Sequence, residues 1–192
     1  MSSKVVVLGG GPAGDVAALR AAQLGAEVVL VERRELGGTC LNRGCVPSKA
    51  LLAIAALARQ LQHASDFGLK VGEVGFDFPA MQARKDEIVL RLRRGVEAAC
   101  QRHGVEVIPE PGRLEGGRVL AGERTLEYDA LVVCVGTEPS GLPGLELAPP
   151  RVISSDGVWT LGEVPERLLI VGGGVIGCEF ASLFAPLGTK VT

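Results

Sequence analysis

The chain has 192 residues, room for one or two domains. Hydrophobic residues make up 47% and charged residues 22%, which supports a packed core and excludes a wholly disordered chain. With 20 Lys and Arg against 22 Asp and Glu the formal net charge is -2, so there is no electrostatic case for binding nucleic acid or an anionic membrane. No stretch approaches the roughly 18 apolar residues of a membrane span. The start, Met1-Ser2-Ser3-Lys4, lacks the pattern of a secretory signal. Five cysteines, an odd number, argue against a secreted disulfide framework and for reactive thiols or metal, so the expected location is cytoplasmic.

Lys4 to Leu8 (KVVVL) and Glu27 to Val31 (EVVLV) predict parallel strands buried on both faces. Between them Gly9 to Gly14 (GGGPAG) is a turn, and Ala13 to Leu24 favours a helix that Gly25 stops. After a loop, Pro47 to about His63 predicts a long helix, and the glycine-containing stretch 64–78 a connector. Pro79 opens a third helix that ends at Gly104, with Ile88, Leu92, Val96 and Ala99 on one face. Val105 to Ile108 is a short strand, residues 112–129 a small antiparallel meander, and Leu131 to Val135 another buried strand. Beyond a proline-rich linker, Leu168 to Val171 predicts a strand, Val175 to Phe184 a helix, and Lys190 to Thr192 the opening of a further strand. Pro186 should end or kink that helix. The expected class is α/β, with Rossmann-like lobes built on parallel sheets.

Gly9, Gly11 and Gly14 satisfy GxGxxG between a strand and a helix. The first glycine permits the sharp turn, the second lets a pyrophosphate approach, and the third lets helix and strand pack closely. Pro12 and Ala13 complete a helix start whose free N–H groups and dipole favour phosphate. Glu32 ends the next strand, 18 residues after Gly14, close to the offset of an acid that binds ribose hydroxyls. The competing reading is a tight βα turn without ligand. Gly172, Gly174 and Gly177, with Val175 and Ile176 between, repeat the pattern. The equivalent acid would fall past Thr192, so the choice between NAD and NADP stays open.

Cys40 and Cys45 stand with four residues between them in GGTCLNRGCVPSK, residues 37–49. Gly44 lets the chain bring two sulfurs within disulfide reach where a loop enters a helix. A helix N-terminus and the nearby Lys49 favour a thiolate, hence exchange chemistry near neutrality. Structural zinc would need further ligands, and His63 and His103 lack ligand-like spacing to the pair. Inert buried thiols and a structural disulfide are the other readings. For Cys100, Cys134 and Cys178, in helix, strand and helix patterns, packing is the better reading.

GGGPAG, VERRELGGTCLNRGCVPSK and GGGVIGCEFA, in that order, resemble the flavin-dependent pyridine nucleotide–disulfide oxidoreductases over essentially the whole chain. CLNRGCVPSK and RVISSDGVWTLGEVPERLLIVGGG are closest to the lipoamide branch, with mercuric and glutathione-type reductases that use NADPH as rivals. The resemblance implies FAD on the first turn, held by Gly9, Gly11, Pro12, Ala13, Gly14, Glu32 and Arg33. Gly38, Thr39, Gly44, Lys49, Gly112 and Gly136 complete that set. It implies that Cys40 exchanges with a dithiol on a lipoyl-bearing protein, or with a small dithiol or disulfide. Cys45 would pass the electrons on to the flavin. Lys49 would pair with Glu179, and Gly172, Gly174, Val175, Ile176, Gly177 and Glu179 would take NAD. The full-length enzyme would be a homodimer.

The lobes implied are residues 1–140 for flavin, a linker at 141–150, and the start of a nicotinamide lobe at 151–192. Two departures stand out: Cys134-Val135-Gly136 replaces the family's Ala-Thr-Gly, and Asp15 replaces a common aromatic, placing an anion at a phosphate-binding helix start. Neither His63 nor His103 matches the family's His–Glu base, so residues 1–192 alone are expected to turn over poorly or not at all. A non-catalytic nucleotide-binding piece is the contrasting class.

Overall fold

Val5 to Leu8 and Val28 to Val31 are apolar at every position, so strands built from them need cover on both faces. The computed structural model describes residues 2–192; Met1, the first residue of the expected flavin lobe, lies outside the described residues. In it β1 (Lys4–Leu8) leads through the glycine turn into α1 (Pro12–Gln23), and β2 (Glu27–Val31) follows. α1 starts at Pro12 because the fixed φ of proline suits the first helical position. It ends where Gly25 takes φ +89° and the amides of Gly25 and Ala26 return to the carbonyls of Ala22 and Ala21.

Residues 38–43, expected as loop, form a short helix α2 (Gly38–Arg43), and α3 (Cys45–Gln62) begins two residues ahead of Pro47. A 3-10 turn, Ala64–Phe67, precedes α4 (Phe78–Arg102). Then come β3 (Glu106–Ile108), β4 (Gly112–Glu115), β5 (Arg118–Ala121), β6 (Arg124–Leu126) and β7 (Ala130–Val133). β7 stops two residues short of Val135 because its partner β1 gives way to the turn after Leu8. A 3-10 segment at Ser155–Thr160, β8 (Arg167–Leu168), α5 (Val175–Phe184) and β9 (Lys190–Val191) complete the order. β8 is shorter than the strand expected over 168–171 and pairs with β9 at Arg167 and Leu168. α5 gives way to a 3-10 turn, Ala185–Leu187, at Pro186, as the missing N–H requires.

Two compact units form. The first comprises Met1–Asn42 with Val89–Glu138, the second Arg43–Ile88 with Pro139–Thr192. Packing therefore groups residues 43–88 with the C-terminal part, whereas a division by motif puts them in the first lobe.

In the first unit the parallel order is β3-β2-β1-β7. Period-two alternation splits the strands cleanly. Val6, Leu8, Val29, Val31 and Ile108 pack with Val119, Ala121 and Leu126 of the antiparallel β4-β5-β6 meander. Val7, Val28 and Leu30 pack with Ala18 of α1 and Cys100 of α4. In the second unit α3 supplies Leu51 and Ala55, α4 supplies Phe78 and Met81, and α5 supplies Phe180, Leu183 and Phe184 to one core. Among the described residues no helix is long and apolar enough to cross a membrane.

Phe184 has no solvent exposure and its ring lies 6.4 Å from that of Phe78. Phe184→Ala is expected to destabilise the second unit by about 3–5 kcal/mol. Urea unfolding followed by circular dichroism checks this; a loss under 1 kcal/mol would contradict the packing described.

Candidate functional site

In the first unit the turn after β1 is built by exclusion of side chains. Gly9 has φ +103°, and a Cβ there would lie 2.2 Å from the carbonyl oxygen of Cys134. A Cβ on Gly14 would lie 1.8 Å from the carbonyl oxygen of Gly9. Gly11 differs: a Cβ there would meet nothing nearer than the Gly38 Cα at 3.7 Å, and no side chain caps α1. The second glycine thus leaves open space beside an uncapped helix start, which is where an anionic phosphate gains from amide donors and the dipole.

Glu32 faces this turn. Its Oε2 accepts from the Gly10 amide at 2.7 Å and its Oε1 from the Arg34 amide at 2.8 Å. Arg33 forms an ion pair with Glu138. The Gly37 amide donates to the Gly10 carbonyl at 2.8 Å, and Gly38, with φ +55°, crosses so near that a Cβ would lie 2.6 Å from the Gly11 Cα. Thr39 and Cys40 follow on α2, Thr39 exposed and Cys40 half-buried. Asn42 ties this helix down, donating from Nδ2 to the carbonyls of Leu36 and Gly38, both at 2.9 Å, and accepting from Arg93 Nε at 2.8 Å. Sequence reasoning missed Asn42; its place inside the cysteine motif was the only available signal.

Gly112 is required by packing: a Cβ would lie 2.2 Å from Leu8 Cδ1. Gly136 has φ +67° and open space where a Cβ would stand. Cys134 lies under the turn, half-buried, its Cβ 3.4 Å from where one on Gly14 would be. Asp15 is buried, with its Oδ1 accepting from the Val16 amide at 2.6 Å. Burial pushes its carboxyl up from the ordinary carboxylate range. Burial, and next the charge of Asp15, push the Cys100 thiol up as well.

In the second unit Gly44 precedes α3 and Cys45 is its exposed first residue. Ser48 donates from its amide to the Gly44 carbonyl at 3.1 Å and from Oγ to the Cys45 carbonyl at 3.1 Å. One turn into the helix, Lys49 Nζ forms an ion pair with Glu179 Oε1 of α5. The Lys49 hydrogen bond, helped by Ser48, holds the Glu179 carboxyl below its usual range. Glu179 comes from the second glycine turn, where Gly172 has φ +110° and a Cβ on Gly177 would lie 2.1 Å from the Gly172 carbonyl oxygen. Gly174 is extended, no side chain caps α5, and Val175 and Ile176 are exposed at its start. Both turns therefore share one geometry. Among the described residues no group of three or more His, Cys, Asp or Glu side chains could hold a metal ion.

Two pH effects follow, of opposite sign. The folded state holds the Asp15 proton more tightly than the unfolded chain does, so stability falls as pH rises through the acid range. Asp15→Asn is expected to melt higher than the parent at neutral pH, with the gap closing near pH 4. Glu179 contributes in the other direction: its stabilisation is present at neutral pH and lost as pH falls through its lowered pKa. Because Lys49 is largely exposed, Glu179→Gln should cost no more than about 1 kcal/mol at pH 7. Thermal melts from pH 3.5 to 7.5 read both; the same pH trend for the two variants contradicts these assignments.

A family model described as pyridine nucleotide-disulphide oxidoreductase matches residues 3–192. The dihydrolipoyl dehydrogenase of Chlamydia muridarum is 44% identical over 193 residues, covering 97% of this chain and 42% of that protein. A dihydrolipoyl dehydrogenase of Bacillus subtilis is 39% identical over 195 residues, covering 98% and 43%. Among solved structures, the HOCl-induced flavoprotein disulfide reductase RclA from Escherichia coli, in its Cu(II) complex, matches with a TM-score of 0.80 at 30% identity, covering 97% of this chain and 40% of its own. LpdA from Mycobacterium tuberculosis matches at 0.86 and 26%, covering 98% and 44%. The chain spans less than half the length of these relatives. A match across nearly every residue, on the two glycine turns and the cysteine segment just described, places the chain in the pyridine nucleotide–disulphide oxidoreductase family.

Proposed function

We propose that the chain is the N-terminal part of a flavoprotein disulfide oxidoreductase that passes electrons from a dihydrolipoyl dithiol, through Cys40 and Cys45 and FAD, to NAD. The observation that carries this reading is the order of parts: a dinucleotide turn with its acid, then the cysteine segment, then a lysine paired with the second turn's Glu179. The relatives named dihydrolipoyl dehydrogenase support the lipoyl substrate over mercuric ion or glutathione.

Residues 1–140 would form the flavin lobe, 141–150 a linker, and 151–192 the start of the nicotinamide lobe. The open space at Gly11 and the uncapped start of α1 fit the diphosphate of FAD. Glu32 would turn its carboxylate to the adenosine ribose, with Gly9, Pro12, Ala13, Gly14, Arg33, Gly38, Thr39, Gly44, Gly112 and Gly136 shaping the rest of the site. Gly172, Gly174, Val175, Ile176 and Gly177 would receive the nicotinamide dinucleotide in the same way. When bound, FAD takes two electrons from thiols and returns them as hydride.

The chain's own part is thiol exchange. A substrate thiolate attacks Cys40 Sγ, the Cys40–Cys45 bond breaks, and Cys45 leaves as a thiolate. The second substrate sulfur then displaces Cys40, so the substrate departs as a disulfide and the pair holds two electrons as a dithiol. Glu179, ionised at neutral pH, keeps the Lys49 ammonium charged and oriented beside the first turn of α3. The whole enzyme would work as a cytoplasmic homodimer on a lipoyl-bearing protein.

Thiol titration after purification in the presence of FAD tests the reading. Reduction should raise the titre by two in the parent and by none in Cys45→Ser, and the purified parent should keep the visible flavin absorbance. A colourless protein with no gain of thiols would favour a non-catalytic nucleotide-binding piece.

A further inference from the structure

The backbone that leads into Cys45 is held from outside its own helix. The single tryptophan of the chain, Trp159, donates its indole Nε1–H to the carbonyl of Arg43 at 2.6 Å. Arg43 lies two residues before Cys45, and Gly44, the residue between, is the N-terminal flank of α3. The Arg43 side chain meets the same segment through an ion pair, its Nε 3.4 Å from Asp156 Oδ2 without hydrogen-bond geometry, with both side chains mostly buried. Asp156 and Trp159 share the Ser155–Thr160 3-10 segment, whose first turn is fixed by the Asp156 amide donating to Ser154 Oγ at 3.3 Å.

That segment is itself anchored. Lys85 Nζ, on a side chain only 4% exposed, donates to the Trp159 carbonyl at 3.4 Å, and Gln82 Nε2 donates to the Leu161 carbonyl at 3.2 Å. The indole meets the ring of Phe180 edge-on, with centroids 5.5 Å apart. Phe180 follows Glu179, the partner of Lys49. One indole therefore ties the backbone before Cys45 to the helix that presents Glu179. Glycine at position 44 has no side chain to stiffen the approach, so the external bond sets its direction.

We propose that Trp159 is a positioning residue for Cys45: its N–H, with Asp156 beside it, fixes the Arg43–Gly44 backbone from which the redox cysteine projects. The inference rests on the redox-pair reading above. A held backbone closes a disulfide ring with less ordering cost than a loose one, so the indole bond favours the oxidised pair.

The test equilibrates the chain with mixtures of reduced and oxidised glutathione. The Cys40 and Cys45 thiols plus one oxidised glutathione give the protein disulfide plus two reduced glutathiones. Trp159→Phe keeps an aromatic ring against Phe180 and removes the donor. It should lower that equilibrium constant by up to about fivefold, because only the part of one net hydrogen bond that differs between dithiol and disulfide counts, and the indole bond is already made with both thiols free. Asp156→Asn should lower it about twofold, and decides the matter by direction if Trp159→Phe does not fold. Phe184→Leu, in the same core but with no polar atom to bond the Arg43 carbonyl, should reduce stability and leave the constant at the parent's value. A parental constant in Trp159→Phe, or an equal shift in Phe184→Leu, overturns the positioning role while the redox pair stands. A parent chain that shows no two-thiol couple overturns the redox reading and this inference together.

Discussion

In both βα turns the helix comes so near the carbonyl of the first glycine that a single methyl group could not be inserted: 1.8 Å separates a Cβ on Gly14 from the Gly9 oxygen, and 2.1 Å one on Gly177 from the Gly172 oxygen. That closeness directs the uncapped amides of each helix at the space left beside the second glycine. In the first unit the residue after β2 joins the turn, because the carboxylate of Glu32 reaches across to the Gly10 amide. The strap at Gly37 and Gly38 is drawn against the same turn by the Gly10 carbonyl, so α2 and Cys40 inherit their place from it. A larger residue at Gly9, Gly14 or Gly177 would move backbone, not merely a side chain.

Charge is used sparingly around this frame. The described ion pairs are mostly at the surface, where each contributes little. The buried or half-buried polar groups are concentrated elsewhere: Asp15 under the first helix start, and Lys85, Arg43 and Asp156 around the Ser155–Thr160 segment. Buried polar groups cost free energy unless partnered, so their bonds direct backbone into one arrangement. Around Arg43 that arrangement determines how the chain enters α3. Near Asp15 the cost is not fully offset, and the raised carboxyl is its signature.

Much of this was legible in the chain itself. Four-residue apolar runs rich in valine, Val5 to Leu8 and Val28 to Val31, announced β1 and β2 because a strand covered on both faces has no polar side to alternate with. Glycine spacing announced both turns because Gly14 and Gly177 must clear the carbonyls of Gly9 and Gly172, a backbone contact within five residues. Pro186 marked the end of α5 for the same local reason. The length of β7 was less legible, since it is cut by what lies beside it, β1 ending at Leu8. α2 was missed because Gly38 to Asn42 has no helical periodicity. It is held by Asn42 bonding back to Leu36 and Gly38, a pattern of side-chain hydrogen bonds with no hydrophobic signature.

The amino-acid order by itself determined the class of fold, the two dinucleotide turns, the acid at position 32 and the cysteine segment. Each of these depends on contacts within a few residues or on a motif of fixed spacing. The Lys49–Glu179 pair, implied by the resemblance, is present in the structure, whereas only the tertiary structure decided that residues 43–88 pack with the C-terminal part and that Trp159 grips the backbone before Cys45. Arg43 and Trp159 are more than a hundred residues apart along the chain, and no periodicity or propensity encodes which distant carbonyl an indole will find.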